Sequence, residues 1–339
     1  MEVLKNKADV DLSKCLVYDA HLIKTFRACE EKFRLFEVEH IVGKQSKAAP
    51  AFGIAFHEGV ASYRLNKKAG NSYTVSLAEA QNDFLRAYKK HMPPEALSEV
   101  MTDAKRSPAN GLRILTGYVN HYEPIGTQWL HVEVPFALWL GRVQVPTGKW
   151  AAHDTGIIEE YVDKDLIYVG IIDGVGELQG RIDVNDIKTT GMFANDAWLE
   201  GFKMDQGLLG YMVAAREVLG IDTHYASIHG VWIQGEAKDP KRAKPLDDYF
   251  MTKEIYWDDE QIAEWQANTI STVAKIERAK VDKSFDKDYG QNCGAFGGCP
   301  YRPLCSVTPK FRPQMVEMDY ERKIWTPLED ERLQPVDGL

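Results

Sequence analysis

Two carboxylates and a lysine stand close together in residues 170–191, GIIDGVGELQGRIDVNDIKTTG. Because side chains of a β-strand alternate between its faces, Asp186 and Lys188, two residues apart, project to the same side. Asp173 belongs to the preceding strand, before a glycine-rich turn predicted at residues 174–180. Such a trio suits phosphodiester hydrolysis, in which carboxylates hold one or two divalent ions and a cation positions the attacking water.

A second group of chemically useful residues is the cysteines, of which the chain has five. The segment QNCGAFGGCPYRPLC places Cys293, Cys299 and Cys305 at equal spacings. Glycine and proline around them are typical of a loop that wraps a metal ion. An odd number of cysteines in a chain of this length does not suggest a disulfide framework. The pattern therefore predicts a metal site that needs a fourth ligand.

Hydrophobic periodicity predicts the elements that must position these groups. Helices are expected at residues 21–38, 52–66, 196–219 and 257–280. Strands are expected at residues 129–140, 156–161, 166–175, 181–188 and 225–234. A proline-interrupted helical pattern, residues 76–122, is interpreted as a helical insertion, and the chain from residue 282 onward as mostly irregular.

Composition limits the classes of protein that this chain resembles. A length of 339 residues with 44% hydrophobic content supports one large core. A net charge of −9 argues against a protein that coats nucleic acid non-specifically, although a local groove can still be basic. Candidate groove residues are Lys67 with Lys68, Lys89 with Lys90, and residues 238–244, although each of these taken singly is more often a solvated surface charge run. Without an apolar run for a membrane span or signal peptide, we expect a cytoplasmic protein.

The acidic segment resembles a known family. An aspartate that ends an apolar strand, then a turn, then Asp-x-Lys followed by Thr-Thr-Gly, resembles the PD-(D/E)XK nuclease superfamily and more closely its RecB-like branch. The resemblance implies that Asp173, Asp186 and the carbonyl of Ile187 bind Mg²⁺ or Mn²⁺, and that Lys188 is the catalytic lysine. The proline of the family name is absent, since Ile172 stands before Asp173.

Further residues match this branch. GIAFHEG supplies Gly53 and His57 in its Gly-x-x-x-His pattern, which implies that His57 is a metal ligand, although a lone histidine in an apolar helix is more often a core residue. Glu133, in HVEVPF, resembles a glutamate of the first core strand, and a salt-bridged strand residue is an equal alternative. The Gln-x-x-x-Tyr helix that contacts DNA corresponds to Gln206 and Tyr211. Here the pair is five positions apart, which turns the second side chain by about 140°.

The cysteines carry a second resemblance. The sequence FRACEEKFRL is similar to the Cys-x-x-x-Phe pattern that opens the iron-sulfur members of the RecB-like branch, including AddB and the CRISPR-associated adaptation exonucleases. This implies a 4Fe-4S cluster held by Cys29, Cys293, Cys299 and Cys305, with Cys15 left as a buried thiol. The first C-terminal interval has five residues instead of two, so a four-cysteine Zn²⁺ site is the alternative. The long gap between Cys29 and Cys293 favours iron-sulfur.

Together these features predict an α/β fold with a restriction-endonuclease-like core, in which a mixed β-sheet is flanked by helices. The nuclease domain is expected at residues 1–310, with a helical insertion at 74–123 and a cysteine segment at 285–310 that pairs with Cys29. Residues 311–339 are expected to be an irregular tail.

The expected function is a metal-dependent DNA exonuclease or end-processing enzyme that prefers single strands. A structure-specific endonuclease or nickase is one alternative, and a catalytically silent DNA-binding or helicase-partner protein is another. The expected partners are DNA with free ends and a helicase or recombination protein, with no membrane contact.

Overall fold

The protein is described by a computed structural model over residues 14–44, 48–102, 104–154, 156–237, 239, 241, 243–294 and 298–327. The α-helices are α1 (Ala20–Ala28), α2 (Glu30–Phe33), α3 (Ala48–Lys68), α4 (Tyr73–His91), α5 (Leu97–Thr102), α6 (Pro108–Tyr122), α7 (Asp196–Glu200), α8 (Gln206–Glu217), α9 (Asp259–Asp282), α10 (Arg302–Ser306) and α11 (Arg312–Asp319). The strands are β1 (Leu16–Tyr18), β2 (Ile41–Gly43), β3 (Gln128–His153), β4 (Gly156–Leu178), β5 (Arg181–Thr190), β6 (Tyr225–Trp232), β7 (Phe250–Tyr256) and β8 (Tyr320–Arg322).

Six of these strands form one mixed sheet around β4. Strand β4 pairs antiparallel with β3 on one side, and on the other side it pairs parallel with β1 and antiparallel with β5. Strand β5 runs parallel to β6, which pairs antiparallel with β7. The chain passes through α7 and α8 between β5 and β6, as parallel neighbours require a crossover. The predicted α/β fold with a mixed sheet is confirmed.

Helices cover both faces of this sheet. Val184 packs in a core with α1, α8 and α9, whereas Ile187 packs in a second core with α3, α4 and α6. These residues lie on opposite faces because side chains alternate along a strand. Asp186, two residues from Val184, therefore lies on the face that α1 and α8 cover. Within the described residues, no helix is both long enough and apolar enough to cross a bilayer.

The β3–β4 hairpin is longer than the sequence pattern predicts. Its register pairs run from Gln128 with Glu177 to His153 with Gly156, so the strands expected at residues 156–161 and 166–175 are one strand. Register shifts interrupt the pairing at three places along the hairpin. Irregularities of this kind break the alternation of apolar and polar residues, which explains why the pattern suggested separate strands.

The turn after β4 is shorter than the one predicted at residues 174–180. Gly174 pairs with Asn185 inside the ladder, and Gln179 and Gly180 form the turn, with φ of 53° and 81°. Two consecutive positive φ values are typical of the tight hairpin turn that matches strand twist. Gly174 instead makes space inside the sheet, because a Cβ there would lie 2.8 Å from the guanidinium of Arg64.

The C-terminal segment also differs from the expected irregular tail. Residues 312–322 form α11 and β8, and β8 pairs antiparallel with β2. Lys44 Nζ donates to the carbonyls of Glu317 and Met318 at 2.7 Å each. The local pattern could not predict this pairing, because its partner strand lies near the other end of the sequence. Residues 328–339 of the predicted tail lie outside the described residues.

The first predicted helix, residues 21–38, is interrupted at Cys29. Helix α1 ends there, and Cys29 is extended, with φ −171° and ψ 116°. Helix α2 starts at the next residue and continues into a π-helical turn, Arg34–Val38. At this break Cys29 borders two cavities.

Candidate active site

The acidic residues lie where β4 and β5 separate. The last pair of the β4–β5 ladder is Gly174 with Asn185. On the same side of β4, β1 pairs with residues 166–168, so among the described strands residues 169–173 have no partner there. Asp173 and Asp186 are the next residues beyond the last pair, so they face each other across the opening. A gap between two strands of a sheet exposes backbone and side chains that a continuous ladder would cover.

The carboxylate of Asp173 bridges this gap. Its Oδ2 accepts a hydrogen bond from the backbone N–H of Ile187 at 2.9 Å and lies 3.3 Å from Nδ1 of His57. Burial alone would raise the pKa of Asp173, but the charges of His57 and Lys188 hold that pKa well below its usual range. The same carboxylate raises the pKa of His57 against the opposing effect of burial. Asp173 is therefore an ionised carboxylate at neutral pH.

Asp186 and Lys188 form a close ion pair on β5. Lys188 Nζ lies 2.7 Å from Oδ1 of Asp186 and 2.5 Å from Oδ2. Burial raises the pKa of Asp186 to about 6, with a further contribution from Asp173, although Lys188 opposes the shift. Asp186 and Asp173 raise the pKa of Lys188 against the effect of burial. The lysine is therefore a cation at neutral pH, a hydrogen-bond donor and not a base.

A cavity of about 590 Å³ opens in front of these groups. It is lined by four of the predicted site residues, which are His57, Glu133, Asp173 and Tyr211. Its walls are the unpaired stretch of β4, the start of α1, the N-terminal half of α3 and residues 325–327. The ion pair of Asp186 and Lys188 lies beside this cavity on the neighbouring strand.

Glu133 and Tyr211 enter the cavity from two different elements. Glu133 stands on β3 between the residues that pair with Gly174 and Ile172, which places it opposite Asp173. Its φ is 49°, a conformation that costs a non-glycine residue on the order of 1 kcal/mol and that is common at functional sites. Tyr211, on α8, packs its ring against Phe136 at 6.0 Å. Helix α8 therefore does present an aromatic side chain to the acidic site.

Gln206 lies elsewhere on α8. It is 5% exposed, accepts a hydrogen bond from Arg27 at 2.8 Å and donates one to Thr269 at 2.9 Å. These contacts join α8 to α1 and α9. The structure thus brings Tyr211 to the cavity and places Gln206 in a buried polar contact between three helices, so its role as a DNA contact stays a prediction.

Arg64 is a residue near the site that the sequence analysis did not identify. It lies two turns after His57 on α3 and is 1% exposed. Its guanidinium donates to the side chain of Asn185 and to the carbonyl of Asp173 at 3.4 Å, and it lies 3.8 Å from the ring centre of Trp129. One arginine thus connects the helix that carries His57 to both acidic strands. Its only sequence signal is its position four residues after Val60, on the face of α3 that buries apolar side chains.

The predicted cysteine ligands line one cavity of about 570 Å³, and they are Cys29, Cys293, Cys299 and Cys305. The N–H of Cys299 donates to the carbonyl of Cys293 at 3.0 Å. Burial raises the pKa of the Cys305 thiol, and Cys299 and Cys29 add to this effect while Lys287 opposes it. Residues 295–297, inside the cysteine segment, lie outside the described residues. None of the five cysteines, Cys15 included, forms a disulfide in the described part of the chain.

The donor atoms at the acidic site fit a hard divalent ion. Carboxylate oxygens of Asp173 and Asp186 suit Mg²⁺ and Mn²⁺, and the His57 imidazole adds a ligand that Mn²⁺ accepts readily. Oδ2 of Asp186 is buried and accepts no hydrogen bond of good geometry, which leaves a lone pair for a ligand contact. Across the described residues, no three histidine, cysteine or acidic side chains are gathered around one point as metal ligands are. In this structure the carboxylates are arranged around Lys188 and His57 instead.

Comparisons with known proteins identify the family. No curated protein matches the sequence significantly. A solved structure described as "Crystal structure of SSO0001" covers 85% of this chain and 96% of its own, at 13% identity and a TM-score of 0.28, a likeness too slight to support any conclusion about the site. The family model of the PD-(D/E)XK nuclease superfamily matches residues 20–306, which include every proposed ligand. Over most of its length, therefore, the chain belongs to the PD-(D/E)XK nuclease superfamily.

Proposed function

We propose that this protein is a DNA nuclease that binds Mg²⁺ or Mn²⁺ through His57, Asp173, Asp186 and the carbonyl of Ile187. Members of the superfamily are nucleases that typically use these ions, so membership indicates a metal-dependent hydrolase with DNA as its substrate. The observation that carries the site assignment is the position of Asp173 and Asp186, which face each other where two strands separate. Asp173 lies 3.3 Å from His57, and Asp186 lies 2.5 Å from Lys188.

The chain's own groups have distinct roles in this proposal. Bound divalent ions polarise the scissile phosphate and lower the pKa of a coordinated water. Asp173 is held by Ile187 N–H, so its second oxygen keeps a defined position toward the cavity. Lys188 stays protonated, donates a hydrogen bond to the attacking water and balances the negative charge that accumulates at the phosphate. Glu133 borders the same cavity and is a further candidate for orienting water.

A single DNA strand is the substrate that fits this site best. The cavity, at about 590 Å³, has a volume typical of sites that enclose one small ligand, which corresponds to one or two nucleotides. Tyr211 offers an aromatic ring at its wall for stacking against a base. Gln206 would hold the same helix in position through its contacts with α1 and α9. We therefore propose an exonuclease or end-processing activity that prefers single strands and acts beside a helicase or recombination protein.

The cysteine cavity is proposed to hold a 4Fe-4S cluster. Four thiols from both ends of the chain line a single space of about 570 Å³, larger than one ion fills. Thiolate sulfur is the ligand of both Zn²⁺ and iron-sulfur clusters, so Zn²⁺ remains the alternative. The cluster would hold the cysteine segment against the break between α1 and α2, away from the acidic site.

The central experiment compares cleavage by wild-type protein and by Asp186→Asn with Mg²⁺ or Mn²⁺. The substrates are linear single-stranded DNA labelled at either end, circular single-stranded DNA and a duplex with a flap. We expect wild-type protein to degrade the linear strand and Asp186→Asn to be inactive while it still binds DNA. Cleavage of the circle would identify an endonuclease or nickase. If wild-type protein with an intact cysteine site cuts no substrate, it is a silent DNA-binding protein.

A further inference from the structure

Residues 323–327, here called the C-terminal strap, form one wall of the active-site cavity. Trp325, Thr326 and Pro327 line that cavity together with His57 and Asp173, although they lie far from these residues in sequence. The strap follows β8 directly, so its path begins at the two-stranded β2–β8 sheet. No sequence pattern indicates a role for these residues, and the superfamily match ends at residue 306, before they begin.

The strap is held at both its start and its middle. The N–H of Lys323 donates to the carbonyl of His40 at 2.8 Å, immediately beyond the β2–β8 pairs. The ring of Trp325 lies 5.7 Å from His21 and 5.5 Å from Phe36, and it packs against the main hydrophobic core. Three mutually contacting rings bury apolar area and give the strap a defined position.

The neighbours of the strap show where it lies relative to the acidic site. His21 and Lys24 of α1 line the same cavity, as do Gly53 and Ile54 of α3. The cavity is thus bounded by β3 and β4, by residues of three helices and by the strap. A strand that enters this cavity to reach Asp173 lies beside residues 325–327, which form one of its walls.

We propose that the C-terminal strap determines substrate selectivity, because it occupies the space that the second strand of a duplex needs beside the acidic site. In B-DNA the complementary strand lies across a minor groove about 6 Å wide or a major groove about 12 Å wide. A wall that begins at the edge of the reacting strand's cavity excludes that complementary strand. This inference rests on the proposed nuclease function and concerns only its choice between single and double strands.

The test is the ratio of blunt-duplex cleavage to single-strand cleavage, measured on the same preparation with Mg²⁺. This ratio does not depend on the fraction of protein that is folded, since both rates fall together. We expect deletion of residues 323–339 to raise the ratio at least tenfold, and Trp325→Ala to raise it severalfold. Trp325→Phe keeps a ring between His21 and Phe36, so its ratio should stay close to that of wild type.

Two matched controls isolate the strap. Deletion of residues 328–339 shortens the chain but removes none of the lining residues named above, and Trp150→Ala removes an exposed tryptophan of the β3–β4 hairpin. Both should leave the ratio unchanged. The proposal is overturned if Trp325→Ala and the 323–339 deletion keep the wild-type ratio within twofold, or if the 328–339 deletion changes it equally. A wild-type protein that cuts neither substrate would instead refute the nuclease function.

Discussion

Asp173 accepts a hydrogen bond from the backbone N–H of Ile187 at the point where the β4–β5 ladder stops. A side chain thus takes the place of the next backbone pair in the sheet. The carboxylate that we propose as a metal ligand is therefore also a structural contact between the two acidic strands. Substitutions of Asp173 separate these two roles, because an amide keeps the acceptor and loses the charge.

Asp173→Asn and Asp173→Ala should both abolish metal-dependent cleavage, but they should differ in stability. The amide oxygen of asparagine still accepts from Ile187 N–H, whereas alanine leaves that buried donor unpaired, which costs about 1–3 kcal/mol. Urea unfolding of both variants measures the difference in the free energy of unfolding. Equal stability of the two variants would mean that the Asp173–Ile187 hydrogen bond does not connect the strands in solution.

Lys188→Gln should be inactive and should bind Mn²⁺ at least as tightly as wild type. Lys188 lies against both oxygens of Asp186, so it competes with any ion for that carboxylate. Glutamine removes the competing charge and contributes no strong ligand. Titration calorimetry with Mn²⁺ measures the affinity, and Lys253→Gln, on the neighbouring β7, is the control. An affinity that falls tenfold or more would show that Lys188 supports the ion site instead of competing with it.

The sequence could predict that Asp173, Asp186 and Lys188 lie close together, because the determinants of this arrangement are local. Asp186 and Lys188 share a strand face through simple alternation, and Asp173 is one hairpin away. His57 needed the family pattern, since a histidine on an apolar helix has no local signature. The separation of β4 from β5 could not be predicted, because it depends on which strand pairs with each half of β4.

The errors in the predicted elements have a common physical cause. Gly174 lies within a strand at a place where Arg64 packs too closely for a Cβ, and this reason for a glycine is invisible until the tertiary contact is known. Residues 320–322 form a strand only through pairing with β2, and Trp325 is ordered by two rings from the N-terminal region. Contacts between distant parts of a chain leave no periodic signal in either part.

Gln206→Ala should lower stability without changing the Michaelis constant for single-stranded DNA. The amide of Gln206 is enclosed by Arg27 and Thr269, so its loss leaves buried groups without a partner, at a cost of about 1–3 kcal/mol. Thr269→Val removes one of the same contacts and is the matched control. Thermal melting and steady-state kinetics give the two quantities. If Gln206→Ala alone raises the Michaelis constant tenfold, the residue contacts DNA as the family resemblance implies.

Glu37 should make the protein less stable as the pH rises from about 5 to 8. Burial raises its pKa to about 7, and Asp19 and Glu277 add to this effect while Lys280 opposes it. A carboxyl whose pKa is raised by folding contributes stability below its unfolded pKa and loses it as pH rises through the folded value. Relative to wild type, the free energy of unfolding of Glu37→Gln should therefore increase by on the order of 1 kcal/mol as the pH rises from 5 to 8, after allowance for solvent screening. Melting curves across this range, with Glu79→Gln as an exposed control, measure the slope.

Protein purified without oxygen should contain about four iron atoms and four sulfides per chain. Cys299→Ser should lose most of this iron, because Cys299 lines the cavity together with Cys29, Cys293 and Cys305. Cys15→Ser should keep it, since that thiol does not line the cavity and packs in a small core beside β1. Iron and sulfide assays with the visible absorption spectrum make the comparison. Stoichiometric zinc without iron, or equal iron loss in both variants, would refute the cluster assignment.

Loss of the cluster should loosen the C-terminal segment and leave the acidic core folded. The ends of the chain are also joined by the β2–β8 pairs and by the hydrogen bond from Tyr301 to the carbonyl of Ile41. These contacts remain when the thiolates lose their metal, so the effect should be local and not global. Hydrogen exchange should therefore speed up in residues 298–322 of Cys299→Ser and stay slow in β4 and β5. Fast exchange throughout β4 and β5 would mean that the cysteine site stabilises the whole nuclease core.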